Sequence, residues 1–171
     1  MSQAVFAIAD GAARAERIVR DLRDAGFAEQ SISILFSDAH DDRERAHESD
    51  SKAPEGASTG LGTGALVGGT VGWLSGVGAI AVPGLGALVA AGPILATLSA
   101  ATAGAAVGGL CGALVGYAVP EFEAKLYESK LRSGNFLISV HTASAVQQAR
   151  ARDVFVRNGA TDVSQREEAR V

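Results

Sequence analysis

The chain has 171 residues, a net charge of −4, 47% hydrophobic but only 5% aromatic residues, 21 glycines and one cysteine. The absence of a basic stripe interleaved with aromatics argues against a nucleic-acid partner, and the lone Cys111 excludes an internal disulfide framework. Charge divides the chain in three: residues 1–55 carry seven Lys/Arg against twelve Asp/Glu, residues 56–120 carry none of either, and residues 121–171 carry eight against seven.

The start, Met1-Ser2-Gln3, lacks a basic stretch followed by a long apolar core, so it does not read as a secretory signal. Val5 to Ala9 is a short β-capable run. Ala15, Ile18, Val19 and Leu22 then follow helical spacing, with Arg14, Arg17, Arg20 and Arg23 on the other faces. Asp10 is expected to cap this helix and Gly26 to end it. Ile32, Ile34 and Phe36 alternate with Ser33 and Leu35 as a second strand, completing a first βαβ half over 1–37. Residues 38–55 form an acidic linker. His40 and His47 lie seven apart within it, and without an HxxxH pair or a cysteine they read as solvated residues, not metal ligands.

Residues 56–120 are a glycine-rich apolar insert. Gly60, Gly64, Gly68, Gly72 and Gly76 recur every fourth residue, as do Gly104, Gly108, Gly112 and Gly116, and Ala96 and Ala100 extend the second stripe backward. Such stripes let two helix backbones approach until Cα–H and carbonyl groups touch, which makes these nine glycines the candidate helix-packing residues. The expected helices are Leu61–Val82 and Pro93–Val119, about 33 and 40 Å long, each sufficient for a bilayer core. Arg43, Arg45, Lys52, Lys125, Lys130 and Arg132 flank the insert and none occurs between the segments, so both soluble halves are expected on the cytoplasmic side. The uncharged connection from Pro83 to Pro93 reads as a re-entrant turn or short helix in the interface, or as a tip covered by other copies. The glycines off the stripes, Gly62, Gly69, Gly78 and Gly109, leave surface for a second protomer. Trp73 suits a packed interior position or an interface. Cys111 is a small apolar filler.

After the insert, a helix leads into a strand carrying Phe136, Ile138 and Val140. Ser144 with Gln147 forms a capping box, Ala145, Ala149 and Val156 support a helix, Gly159 ends it, and Thr161 to Arg166 form an edge strand. Residues 121–171 thus hold a helix plus the second half of an α+β domain. Two incomplete βαβ halves complete each other as a ferredoxin-like split βαβ fold, with both helices on one face and the helical hairpin interrupting it. The two halves are expected to fold together without the insert.

Catalytic, cofactor-binding and metal residues are all expected to be none. Gly60-Leu61-Gly62 and Gly68-Gly69 lack the Lys-Ser/Thr of a phosphate loop, and His141 has no cysteine or acid placed to work with it. Val5-Phe6-Ala7-Ile8-Ala9, the turn Val82-Pro83-Gly84-Leu85-Gly86 and the exit Val119-Pro120-Glu121-Phe122-Glu123-Ala124-Lys125-Leu126-Tyr127-Glu128 together resemble the bacterial general stress protein 17M-like, heat-induced stress protein family. That resemblance implies a stress-associated protein without enzymatic activity, although the acidic linker departs from the pattern. The expected protein is non-enzymatic and associated with the bacterial inner membrane, with the lipid bilayer and further copies of itself as partners. The alternative is a cytoplasmic homo-oligomer whose hairpins are buried between subunits. A zipper-lined channel would have to conduct along a hydrophobic or backbone-lined path, since no ionisable residue lines it.

Overall fold

The computed structural model describes residues 3–37, 78–82, 86–94, 110–112, 114–115 and 119–167. The expectations for the acidic linker, for Trp73 and for Gly60, Gly64, Gly68, Gly72, Gly76, Gly104, Gly108 and Gly116 lie outside them.

The described chain is a mixed α and β structure. Strand β1 (Gln3–Ala9) leads to helix α1 (Ala12–Asp24) and, through a short 3-10 turn, to β2 (Ile32–Ser37). Strands β3 (Gly78–Val82) and β4 (Gly86–Ala91) lie within the insert. Helix α2 (Glu121–Arg132), β5 (Phe136–Thr142), helix α3 (Ala145–Arg157) and β6 (Thr161–Glu167) complete the chain. The strands form one sheet in the order β3-β4-β2-β5-β1-β6 with every neighbouring pair antiparallel. β5 therefore lies between β1 and β2, and β1 between β5 and β6, so each βαβ half supplies the strand that fills the gap in the other.

The alternation read in the sequence sets the two faces. Val5, Ala7, Ile32, Ile34, Phe36, Ile138 and Val140 face α1 and α3, where they pack against Ala15, Ile18, Val19, Leu22, Ala151, Val154 and Phe155. Phe36 and Phe136 meet there with ring centroids 5.0 Å apart. Both helices end as their glycines predict. Gly26 (φ +89°) and Gly159 (φ +70°) take the left-handed conformation. The next N–H in each case reaches back across the turn, from Phe27 to Leu22 O and from Ala160 to Phe155 O. Ser144 Oγ accepts the N–H of Gln147 and so caps α3 as expected, while Gln147 Oε1 accepts the N–H of Ala143, one residue before the cap, in place of the Ser144 N–H of a full capping box. Asp10 does not cap α1: Gly11 occupies the cap position, and the Asp10 carboxylate pairs with Arg14 one turn on at 2.8 Å.

Ala4, Phe6, Ile8, Leu35, Leu88, Ala90 and Leu137 line the opposite face, which is covered as well, by Ala124, Tyr127 and Leu131 of α2 and by Ile94, Leu110, Leu114 and Val119 of the insert. Burial of both faces explains the unbroken apolar run of β1, since neither set of alternating positions meets water.

Two expectations differ from the structure. The helix expected to run through Val82 is absent over Gly78–Val82, which is strand β3. The connection expected as a re-entrant turn or short helix in the interface, or as a tip covered by other copies, contains β4, paired with β2 from Ile34↔Ala91 to Ser37↔Leu88. Pairing on both sides satisfies the backbone groups of β4 and places Leu88, Val89, Ala90 and Ala91 in the two cores. The insert also supplies side chains to both cores, a contribution not expected from the sequence.

Candidate insert-docking and self-association site

Of the nine candidate packing glycines, Gly112 is the one among the described residues, in the helical stretch 110–112. Its neighbours show which way that stretch faces. Leu110 and Leu114 are fully buried on the second face of the sheet, beside Ile94. Each buried aliphatic side chain is worth about 2 kcal/mol, so these three alone anchor the insert firmly.

Polar contacts fix the register of that docking at two points. Where β4 ends, Gly92 adopts φ +82°, and a Cβ there would lie 2.1 Å from the Ile32 carbonyl oxygen, so the chain turns against β2 at a distance only glycine tolerates. Two residues later the N–H of Ile94 donates to Ser33 Oγ at 3.1 Å, a buried bond between the insert and β2. Ser139, opposite Ser33 in the ladder, is also buried, and its Oγ has no hydrogen-bond partner among the described residues.

The second point is Glu128 on α2. Its Oε2 accepts the N–H of Cys111 at 3.1 Å, while its Oε1 receives Arg132 Nη2 at 2.6 Å. One carboxylate thus ties the insert to α2. The opposite side of α2 is fixed to β6. Tyr127, stacked on Phe6, donates its hydroxyl to Asp162 O at 3.2 Å and shares a 2.8 Å bond with Ser164 Oγ. Burial pushes the Tyr127 phenol above its usual range; the Ser164 bond opposes this and the nearby Asp162 charge adds to it. Glu123 pairs with Arg166, and Lys130 with Asp162 at 3.7 Å. These polar contacts tie α2 to the insert on one side and to β6 on the other.

Two other features lie apart from this docking region. A shallow depression of about 470 Å³ on the outer side of α3 is lined by Val146, Ala149, Arg150, Asp153, Val156 and Arg157. Two of its polar side chains are engaged: Arg150 donates to Ala25 O and Arg157 to Asp153 O. His141 lies near the end of β5 opposite Ala4 and is half-buried. Among the described residues no three His, Cys, Asp or Glu side chains are grouped to hold a metal ion, and no helix is long and apolar enough to cross a membrane.

Sequence reasoning alone does not find Ser33, Gly92 or Glu128. Ser33 is legible only as a small polar residue within a strand, Gly92 only as part of a Gly-Pro turn, and the role of Glu128 depends on a partner 17 residues away. No family model, no curated protein and no solved structure matches this chain.

Proposed function

We propose that this protein is a non-enzymatic, self-associating bacterial stress protein, a ferredoxin-like split βαβ domain that carries its glycine-rich insert as an assembly surface. The observation that carries this reading is the splicing of the insert into the domain's own sheet. β3 and β4 extend the sheet beside β2, and Ile94, Leu110 and Leu114 close its second face. The strand order β6-β1-β5-β2 is the order a split βαβ pair produces and supports the ferredoxin-like description.

Chain length favours assembly over a spanning hairpin. The chain leaves the sheet after Ser37 and is back in it at Gly78, so both ends of that segment lie on one side of any bilayer. It leaves again after Ile94 and is docked once more at Leu110. The residues between, 95–109, reach about 22 Å as helix, short of one bilayer core of about 30 Å. Two spans joined at Pro83 to Pro93 would need that connection on the far side, whereas β4 pairs with β2.

Gly68→Leu and Gly108→Leu test the assembly surface. If glycine faces make the contact, both variants lose oligomer in sedimentation and cross-linking although leucine is the better helix former, and Leu66→Ile, off the stripe, stays unchanged. Glycine variants that assemble like the parent would refute the role of the stripes. Recovery of the parent in carbonate-washed membranes, not in the cytosol, would favour a bilayer partner instead.

A further inference from the structure

We infer that β3 is a homodimerisation edge, pairing antiparallel with β3 of a second copy across a two-fold axis at Ile80. The inference rests on self-association as proposed above but not on the glycine stripes.

The two edges of the sheet are built differently. β6 carries Asp162, Arg166 and Glu167, shifts register against β1 between Phe6 and Ile8, and holds Asp162 at φ +50°. Charge, a bulge and local twist are the devices that prevent a sheet edge from recruiting another strand. β3 carries no charge and no bulge. Its sequence is Gly-Ala-Ile-Ala-Val, and it pairs with β4 without a register shift over all five positions, Gly78↔Ala90 to Val82↔Gly86. Among the described residues no strand lies on its outer side.

The chemistry of that edge selects its occupant. A strand edge offers a row of N–H and C=O groups, which lipid cannot satisfy and which a helix, with its own backbone bonds closed, does not complement. Another strand does. The sequence supplies a reason for that strand to be a second β3: Ala79-Ile80-Ala81 reads the same in both directions. An antiparallel two-fold at Ile80 sets Ile80 opposite Ile80, Ala79 opposite Ala81 and Gly78 opposite Val82. No like charges oppose one another, and an isologous interface of this kind closes at two copies. The sheets of the two protomers would then run as one, leaving the charged β6 edges outermost.

Cysteine cross-linking of the full chain in a Cys111→Ala background reads this register. Directly opposed residues of an antiparallel pair have Cα atoms about 4.5–5.5 Å apart, inside the disulfide range, whereas diagonal neighbours are about 7–8 Å apart. Under mild copper-phenanthroline oxidation, Ile80→Cys should form a disulfide-linked dimer in most of the protein. Ala79→Cys and Ala81→Cys should each cross-link several-fold less alone, and co-expression of the two should raise the yield towards the roughly one-half of dimers that random pairing makes mixed. Circular dichroism melting of each variant checks that it retains the parent fold. Equal yields at all three positions, or no dimer at any of them, would overturn the assignment. A parent that still sediments as an oligomer without these cross-links would leave the glycine reading standing and refute the β3 edge alone. A monomeric parent would refute both.

Discussion

Gly92→Ala asks how tightly the insert is joined to the sheet. The added Cβ meets the Ile32 carbonyl oxygen at 2.1 Å, well inside any tolerated contact, and the atom it meets is backbone, not a side chain that can swing away. Relief requires the chain at Gly92 to withdraw from β2 by about 1 Å, which strains the adjoining Ile34↔Ala91 pair and the bond from Ile94 N–H to Ser33 Oγ. The left-handed φ of +82° adds about 1–2 kcal/mol for any non-glycine residue. Loss of the Ser33 bond adds about 1 kcal/mol, with further cost from the disturbed ladder. Gly26→Ala is the matched control, because Gly26 has a similar φ of +89° but nothing within 4 Å of the added Cβ. Gly26→Ala should therefore show the conformational cost alone, a fall in melting temperature of a few degrees for a chain of this length. Gly92→Ala should cost at least about 2 kcal/mol more in urea unfolding, or should release β4 so that the amides of Leu88 to Ala91 lose hydrogen-exchange protection. Equal melting of the two variants with protection intact would refute the close junction between β4 and β2.

Two further perturbations address α2. Raising the pH through the alkaline range should destabilise the fold, because the buried Tyr127 phenol stays protonated in the folded chain at pH values where the unfolded chain has ionised. The stabilising difference is complete below the ordinary tyrosine pKa of about 10 and is lost as pH rises through the higher folded value. Tyr127→Phe should flatten that decline in pH-dependent urea melts, while lowering stability near neutral pH by roughly 1 kcal/mol through loss of the Ser164 and Asp162 bonds. Glu128→Ala should loosen the stretch around Cys111 by removing the acceptor of its N–H, so maleimide labelling of Cys111 should accelerate several-fold with far-ultraviolet circular dichroism unchanged.

Much of the sheet is legible in the sequence because its signals are local. The alternation of Ile32, Ile34 and Phe36, the helical spacing from Ala15 to Leu22 and the glycines at 26 and 159 each act within a few residues, and the structure uses each as read. Asp10 departs from its expected role because its carboxylate has two partners available, the helix N-terminus and Arg14, and the charged one prevails. The insert departs from expectation for a broader reason. Gly-Ala-Ile-Ala-Val and Gly-Ala-Leu-Val-Ala-Ala are short apolar runs whose periodicity does not separate strand from helix, and their placement between two glycine stripes biases the reading towards helix. What decides them is the free edge of β2, a tertiary fact about residues some 50 positions earlier. The covering of the second face by α2, Leu110 and Leu114 is hidden from the sequence for the same reason.

Pairing of β4 with β2 places the middle of the insert in the same sheet as the first βαβ half. Ser37 and Leu88 are direct partners in the β2–β4 ladder. Cysteines at these two positions, in a Cys111→Ala background, should therefore form an intramolecular disulfide in protein taken from either the soluble or the membrane fraction. If the pair fails to close while a cysteine at 88 alone is labelled from the opposite side of the membrane to a cysteine at 37, the insert is a spanning hairpin and the pairing of β4 with β2 is wrong.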